Sequence, residues 1–298
     1  MLTNKVFLLS GILLMCLNCA NQRSNTEKLR KNIENIISRT EGTIAVAFED
    51  LKTGDKLFIN DKIQMHAAST MKTPVMIEVY KQASEAHFSL TDSVLIKNEF
   101  RSIVDGSKYT MDFGEDSDDV VYKNIGKRMS IHDLVYQMIT VSSNFATNIL
   151  IDLVKAENVM STMKTIDANK VRVLRGVEDI KAYESGLNNT TDAYDMLLIM
   201  KAIAQKRVVS PNACEKMINI LLQQKFKSKI PALLPSTVKV AHKTGSITEI
   251  DHDAAIVYLN PEHAYVLVIL TKGIKSHKHA QKTIARISRM IYDVVFLG

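Results

Sequence analysis

Cysteine is scarce in this 298-residue chain, tryptophan is absent, and no lysine or arginine run reaches five residues. Cys16 and Cys19 stand within the first twenty positions, which leaves Cys214 as the remaining thiol. A lone cysteine has no intramolecular disulfide partner, so packing is its expected role. The missing basic run and the modest formal charge of +6 argue against a nucleic-acid footprint. Beyond the N-terminus no segment carries eighteen consecutive apolar residues, so no integral membrane span is expected. Eleven glycines and five prolines exclude a collagen-like chain. What is present, 46% hydrophobic and 23% charged residues, is ordinary globular composition, long enough to bury a core without disulfide staples.

Residues 1–20 read as an export signal. Lys5 supplies the positive start, and Val6–Leu17 forms an apolar stretch of about twelve residues, too short to span a bilayer. The C-x-x-C spacing of Cys16 and Cys19 at the end of that stretch belongs to the leader rather than to a redox pair. Leu17-Asn18-Cys19-Ala20 resembles a bacterial lipobox. Two outcomes stay open: simple cleavage, or a lipid on Cys19 with the polar tail from Asn21 to Glu27 as a membrane tether. Either places the expected location outside the cytoplasm, periplasmic or lipid-anchored at the cell envelope.

Periodicity divides the rest. Leu29, Ile33, Ile36 and Ile37 mark an amphipathic helix, followed by a hairpin of Gly42–Asp50 and Lys56–Asn60 around Lys52-Thr-Gly-Asp55. From about residue 70 to 224 the pattern is helical. Ser130 opens a helix with a capping box, and Ser210-Pro211 opens another. Strand patterns return at Val238–His242, Ala254–Leu259 and Ala264–Thr271, and a helix from about Ser276 closes the chain. The expected architecture is an α/β domain, a sheet flanked by helices, built from residues 21–68 and 225–298 and holding an inserted all-helical domain of 69–224. The natural site is the cleft between them. The acidic stretch Glu115–Asp119 reads as a solvated loop, because the glycine and closing glutamate of a calcium loop are missing.

Three short motifs fall at the seams. In Ser69-Thr70-Met71-Lys72 the i, i+3 spacing puts an amine beside a hydroxyl, and a serine needs such a base to become a nucleophile. A lysine serves as that base when desolvation lowers its pKa. Pro74 predicts a distorted first turn. Ser142-Ser143-Asn144 lies between two helices, where a hydroxyl can relay a proton and an amide can hold a carbonyl. Lys243-Thr244-Gly245, followed by Ser246, lies on a strand whose glycine admits a substrate backbone and whose polar groups suit a carboxylate. Singly each motif is ordinary cap or turn chemistry; their order and placement around one cleft make them a set.

S-x-x-K, S-x-N and K-T-G in this order resemble the class A β-lactamases and penicillin-recognising serine hydrolases, across essentially the whole mature chain. The segment Ile139–Asn148 is similar to the family's, with Ser143 in place of an aspartate. The resemblance implies Ser69 as the acylated nucleophile, Lys72 as its activating partner, and Ser142 as proton shuttle. It implies Asn144 as a ligand of the substrate amide, Lys243 and Thr244 as the carboxylate site, and the N–H groups of Ser69 and Ser246 as oxyanion hole. A glutamate that activates the deacylating water is expected at Glu184, in Glu184-Ser-Gly-Leu-Asn188; an alignment anchored on Arg175 offers Glu178 instead. Lys229 or Lys227 is the candidate for an additional cation at the carboxylate site, and the longer Glu99–Tyr122 region is expected to narrow the cleft. His252 and Asp253 read as structural, and His277 and His279 lack a third convergent ligand for zinc. The implied activity is β-lactam hydrolysis through an acyl-enzyme by a monomer that needs no metal or organic cofactor. Its rivals are a D,D-peptidase-like enzyme acting on cell-wall peptides and a non-catalytic protein that is acylated once.

Overall fold

The structure, a computed structural model, describes residues 26–297. The leader and Cys19 lie outside those residues. Five strands form one antiparallel sheet: β1 (Thr43–Asp50), β2 (Lys56–Ile59), β3 (Lys239–Ile247), β4 (Ile250–Asn260) and β5 (His263–Lys272), in the order β2-β1-β5-β4-β3. The two ends of the chain meet in its middle, where Thr43 faces Lys272 and Asp50 faces Tyr265. β5 is buried from Tyr265 to Thr271, as its apolar run requires of a strand covered on both faces. β3 runs further than the apolar pattern alone predicts. Pairing with β4 carries it through Lys243-Thr244-Gly245 to Ile247, with Gly245 opposite His252.

Nine helices stand among the described residues: α1 (26–38), α2 (Lys72–Ser84), α3 (Ile131–Thr140), α4 (Asn144–Val154), α5 (Ala156–Lys164), α6 (Ile180–Glu184), α7 (Ala193–Ala204), α8 (Pro211–Leu221) and α9 (His277–Leu297). Because strand side chains alternate, the sheet has two separate cores. Ile44, Val46, Leu267 and Ile269 pack against Leu29 and Ile33 of α1 and Ile284, Ile287 and Ile291 of α9. Ala45, Ala47, Val266 and Val268 point the other way, into one continuous core with α2, α3, α4, α7 and α8. The expected caps are in place: the Ser130 hydroxyl accepts the Asp133 N–H at 3.0 Å, and that of Ser210 the Ala213 N–H at 3.2 Å.

Ahead of α2 the chain makes a 3₁₀ turn, Ala68–Met71, so the distortion expected at this helix start lies just upstream of it. Pro74 sits in the first turn of α2, where its missing N–H leaves no helical bond unmade. Met65–His66, immediately before the turn, pairs with Thr190–Thr191. Phe100–Arg101 pairs with Lys108–Tyr109 in a hairpin.

Candidate active site

A cleft of ≈ 790 Å³ opens between the helices and the edge of β3, lined among others by Ser69, Ser142, Asn144, Thr244 and Ser246. Ser69 rides on the 3₁₀ turn, half-buried. β3 comes so close to that turn that a methyl group at Gly245 would stand 3.0 Å from the Ser69 backbone nitrogen and 3.2 Å from that of Thr70. A side chain there would have to push β3 and the turn apart by a few tenths of an ångström, and the same approach brings the Ser246 end of β3 beside the nucleophile's own backbone. His66 steadies the turn, its Nδ1 accepting the Ala68 N–H at 3.0 Å. Burial, then Arg175, lowers the His66 pKa, which keeps that nitrogen an acceptor. Behind it, His252 Nε2 lies 2.8 Å from the His66 carbonyl, a structural use of the buried histidine. Ala68, Ser142 and Glu178 all line the cleft with φ between +45° and +62°, a region that costs non-glycine residues energy and so concentrates at functional sites.

The lysine amines converge on Ser142. Lys72 Nζ donates to the Ser142 carbonyl at 2.6 Å, to its hydroxyl at 3.3 Å and to Asn144 Oδ1 at 2.8 Å. Lys243 Nζ donates to the same hydroxyl at 3.0 Å and to the Thr244 carbonyl at 2.8 Å. Among the described residues no hydrogen bond joins Lys72 to the Ser69 hydroxyl; the amine is held by Ser142 and Asn144. Burial brings the Lys72 pKa down to about 7, against the opposing pull of Asp116, Glu178 and Asp118. Lys243 is pushed well below the ordinary lysine range by burial and by its neighbours Lys72 and Lys229. Lys229 lines the same cleft but is buried. Its Nζ is spent on Asp251 at 2.9 Å, the Gly245 carbonyl at 2.8 Å, the Ser246 hydroxyl at 2.8 Å and the His252 carbonyl at 3.1 Å. Lys227 is exposed.

The two glutamates part company. Glu184, the last residue of α6, is exposed and does not line the cleft. Glu178 does line it. One Glu178 oxygen accepts the Asp112 N–H at 3.0 Å, and the other is buried without a hydrogen-bond partner. Burial raises this carboxyl's pKa, as do Asp116, Asp112 and Glu115, with the Asp112 N–H pulling the other way. The reason for the difference lies in how segment 175–188 is held. Asn148, 2% exposed on α4, accepts the Val177 N–H at 2.6 Å and donates to the Val177 carbonyl at 2.9 Å. Asp179 accepts from the Ser102 hydroxyl, the Ile103 N–H and the Ala182 N–H, at 2.8, 2.9 and 3.2 Å. Residues 177–179 are thus pinned into the wall of the cleft. α6 then carries Glu184 out to solvent, and Asn188 of the E-x-x-L-N pattern pairs with Arg175 instead.

The acidic stretch is more than the solvated loop its composition implies. Asp118 is 3% exposed and accepts the Val120 N–H, while Asp116 reaches the start of α4. Neither Asn148 nor Asp116 stands out as functional in the sequence. The available signal for Asn148 is an amide inside the apolar run of α4, a buried polar group that needs a partner. Among the described residues no cluster of three or more His, Cys, Asp or Glu could hold a metal ion.

A curated β-lactamase of Bacteroides uniformis is 23% identical over 297 residues, covering 95% of this chain and 96% of its own. Among solved structures, a β-lactamase from Chitinophaga pinensis superposes with a TM-score of 0.78 at 21% identity, covering 90% of this chain and 99% of that one. The structure of PBP-A matches with the same TM-score of 0.78, at 23% identity and with coverage of 91% and 97%. The fold is that of the class A β-lactamases. A model of the β-lactamase enzyme family matches residues 28–295, and the chain belongs to that family.

Proposed function

We propose that the protein is a serine β-lactamase that opens β-lactams through an acyl-enzyme on Ser69. The observation that carries this reading is the Lys72 amine, fully buried three residues after Ser69 and held by the Ser142 carbonyl and Asn144 Oδ1; that burial brings its pKa down to about 7. Unprotonated, Lys72 takes the Ser69 proton as the hydroxyl attacks the lactam carbonyl. The oxyanion is received by the N–H groups of Ser69 and Ser246. Ser142, bridging Lys72 and Lys243, passes a proton to the departing nitrogen. Asn144 Oδ1 is occupied by Lys72, which leaves its Nδ2 to donate to the substrate amide carbonyl. Lys243 and Thr244 take the substrate carboxylate. For deacylation we assign Glu178 in place of Glu184, since its buried, unpartnered oxygen can hold a water and its raised pKa suits a base. The site that goes with this reading is the cell envelope, and the intact mass of native protein tests whether Cys19 carries a lipid.

A second reading, a D,D-peptidase-like enzyme that β-lactams acylate, draws on one feature. The residue whose backbone Asn148 grips is Val177, not an acid, and no carboxylate is hydrogen-bonded to Lys72 among the described residues. A single experiment divides the two. Wild type, Ser69→Ala, Glu178→Gln and Glu184→Gln are incubated with penicillin for intact mass and with a chromogenic cephalosporin for turnover. The lactamase reading expects many turnovers in wild type and Glu184→Gln, a trapped adduct in Glu178→Gln, and none in Ser69→Ala. A persistent adduct in wild type, with D-Ala released from a peptide, establishes the peptidase.

A further inference from the structure

We infer that Asp116, in the loop ahead of α3, is a positioning residue for acylation: its carboxylate holds the start of α4, and with it Ser142 and Asn144, and supplies the negative charge that faces the buried amine of Lys72. This rests on the reading of Ser69 and Lys72 given above.

The geometry is an accounting of backbone donors. The first N–H groups of a helix have no partner inside it. In α4 the Ser143 hydroxyl takes the Ala146 N–H at 3.0 Å. The Ser143 N–H goes to the Gln137 carbonyl at 3.2 Å, and the two remaining, Asn144 and Phe145, both go to Asp116. Its Oδ1 and Oδ2 accept the Asn144 N–H at 3.0 and 2.9 Å, and Oδ2 also accepts the Phe145 N–H at 2.9 Å. The carboxylate comes from 28 residues upstream, on a loop fixed by the buried Asp118. The acceptors of the Lys72 amine are the Ser142 carbonyl, the Ser142 hydroxyl and Asn144 Oδ1, all at this same helix start. The beginning of α4 is therefore gripped between an anion and a cation. Without Asp116, the positive end of the helix dipole would face Lys72 and Lys243 with one fewer counter-charge. The charged groups around the amine are Asp116 and Asp118 from the loop, Glu178 from segment 175–188 and Lys243 from β3, and Asp116 leads those favouring the ammonium.

The test reads the titration of Lys72 directly, from its ¹³Cε resonance assigned by its loss in Lys72→Met, alongside the pH dependence of penicillin acylation. In Asp116→Asn the midpoint of both moves to lower pH by about one. At pH 6 the variant then runs at up to about five times wild type's fraction of its own high-pH plateau. The plateau itself falls, because Ser142 and Asn144 lose their anchor. Ser143→Ala, which removes a cap but no charge, lowers the plateau and leaves the midpoint in place. Asp116→Glu, a second variant should the asparagine not fold, restores the midpoint with a reduced plateau. A Lys72 midpoint unmoved or raised in Asp116→Asn, or lowered equally in Asp116→Glu, overturns the role of Asp116 while leaving acylation intact. A wild type that forms no Ser69 adduct overturns the acylation reading and the positioning role together.

Discussion

Gly176 tests whether the grip of Asn148 on segment 175–188 holds the hydrolytic half of the site. A methyl group there would stand 2.6 Å from Asn148 Oδ1 and 2.8 Å from its Cγ. The amide has no room to retreat, because its Nδ2 also faces the Tyr109 hydroxyl at 3.2 Å and the Met111 sulfur at 2.9 Å. Gly176→Ala must therefore break the two bonds to Val177 or push the segment off α4. Losing them while the groups stay buried costs about 1–3 kcal/mol. For a chain of this size that is a fall in Tm of a few degrees per kcal/mol, on the order of 2–10 °C. The nearest neighbours of that methyl group all belong to Asn148 rather than to Ser69, Lys72 or Ser142, so the penicillin adduct should form at close to the wild-type rate while its hydrolysis slows by roughly tenfold or more. The assay is a thermal melt together with stopped-flow turnover, in which the variant shows a burst and then a slow steady state. Gly186→Ala is the control: in the same segment, at φ +76° but with open space around it, it should cost about 1 kcal/mol and leave turnover alone. An unchanged Tm in Gly176→Ala, or a loss confined to acylation, refutes the reasoning.

The titration of Lys72 predicts the shape of the acylation profile. Its working form is the free amine, so the rate should fall about tenfold for each pH unit well below 7 and level off above about pH 8; a flat profile from pH 5 to 9 by quenched-flow labelling would remove Lys72 as the base. Gly245→Ala should widen the gap between β3 and the Ser69 turn and slow acylation by about 10²-fold with little change in Tm, since a small displacement at the reacting atoms is enough. Labelled penicillin measures it, and a wild-type rate refutes the close approach. Asp179→Ala leaves the Ser102 hydroxyl and the Ile103 and Ala182 N–H groups without their acceptor, and should lower stability by about 1–3 kcal/mol in urea melts.

What could be read from the sequence, and what could not, follows from how far apart the partners lie along the chain. Ser69 and Lys72 are three positions apart, Ser142 and Asn144 two, and Lys243 to Ser246 are contiguous, so local spacing already carries most of their relation. The same holds for Ser130 and Ser210, whose caps need only the next three residues. The central sheet was legible for a related reason: the unbroken apolar runs of β1 and β5 are those of strands covered on both faces. The placement of Glu184 outside the cleft was illegible on the same ground. E-x-x-L-N is a one-dimensional pattern, and which carboxylate enters the cleft depends on contacts between Asn148 and Val177, between Ser102 and Asp179, and between Asp112 and Glu178, all at separations of 29 to 77 residues. The acidic stretch misleads likewise, since composition assigns Glu115–Asp119 to solvent while one of its carboxylates is the acceptor that α4 requires. An unpaired helix start is itself a demand that a sequence can state without naming what meets it. α4 begins between Ser142 and Asn144 with two N–H groups beyond the reach of Ser143. The acceptor that meets them is Asp116, in the one segment whose charge pattern composition alone assigns to solvent.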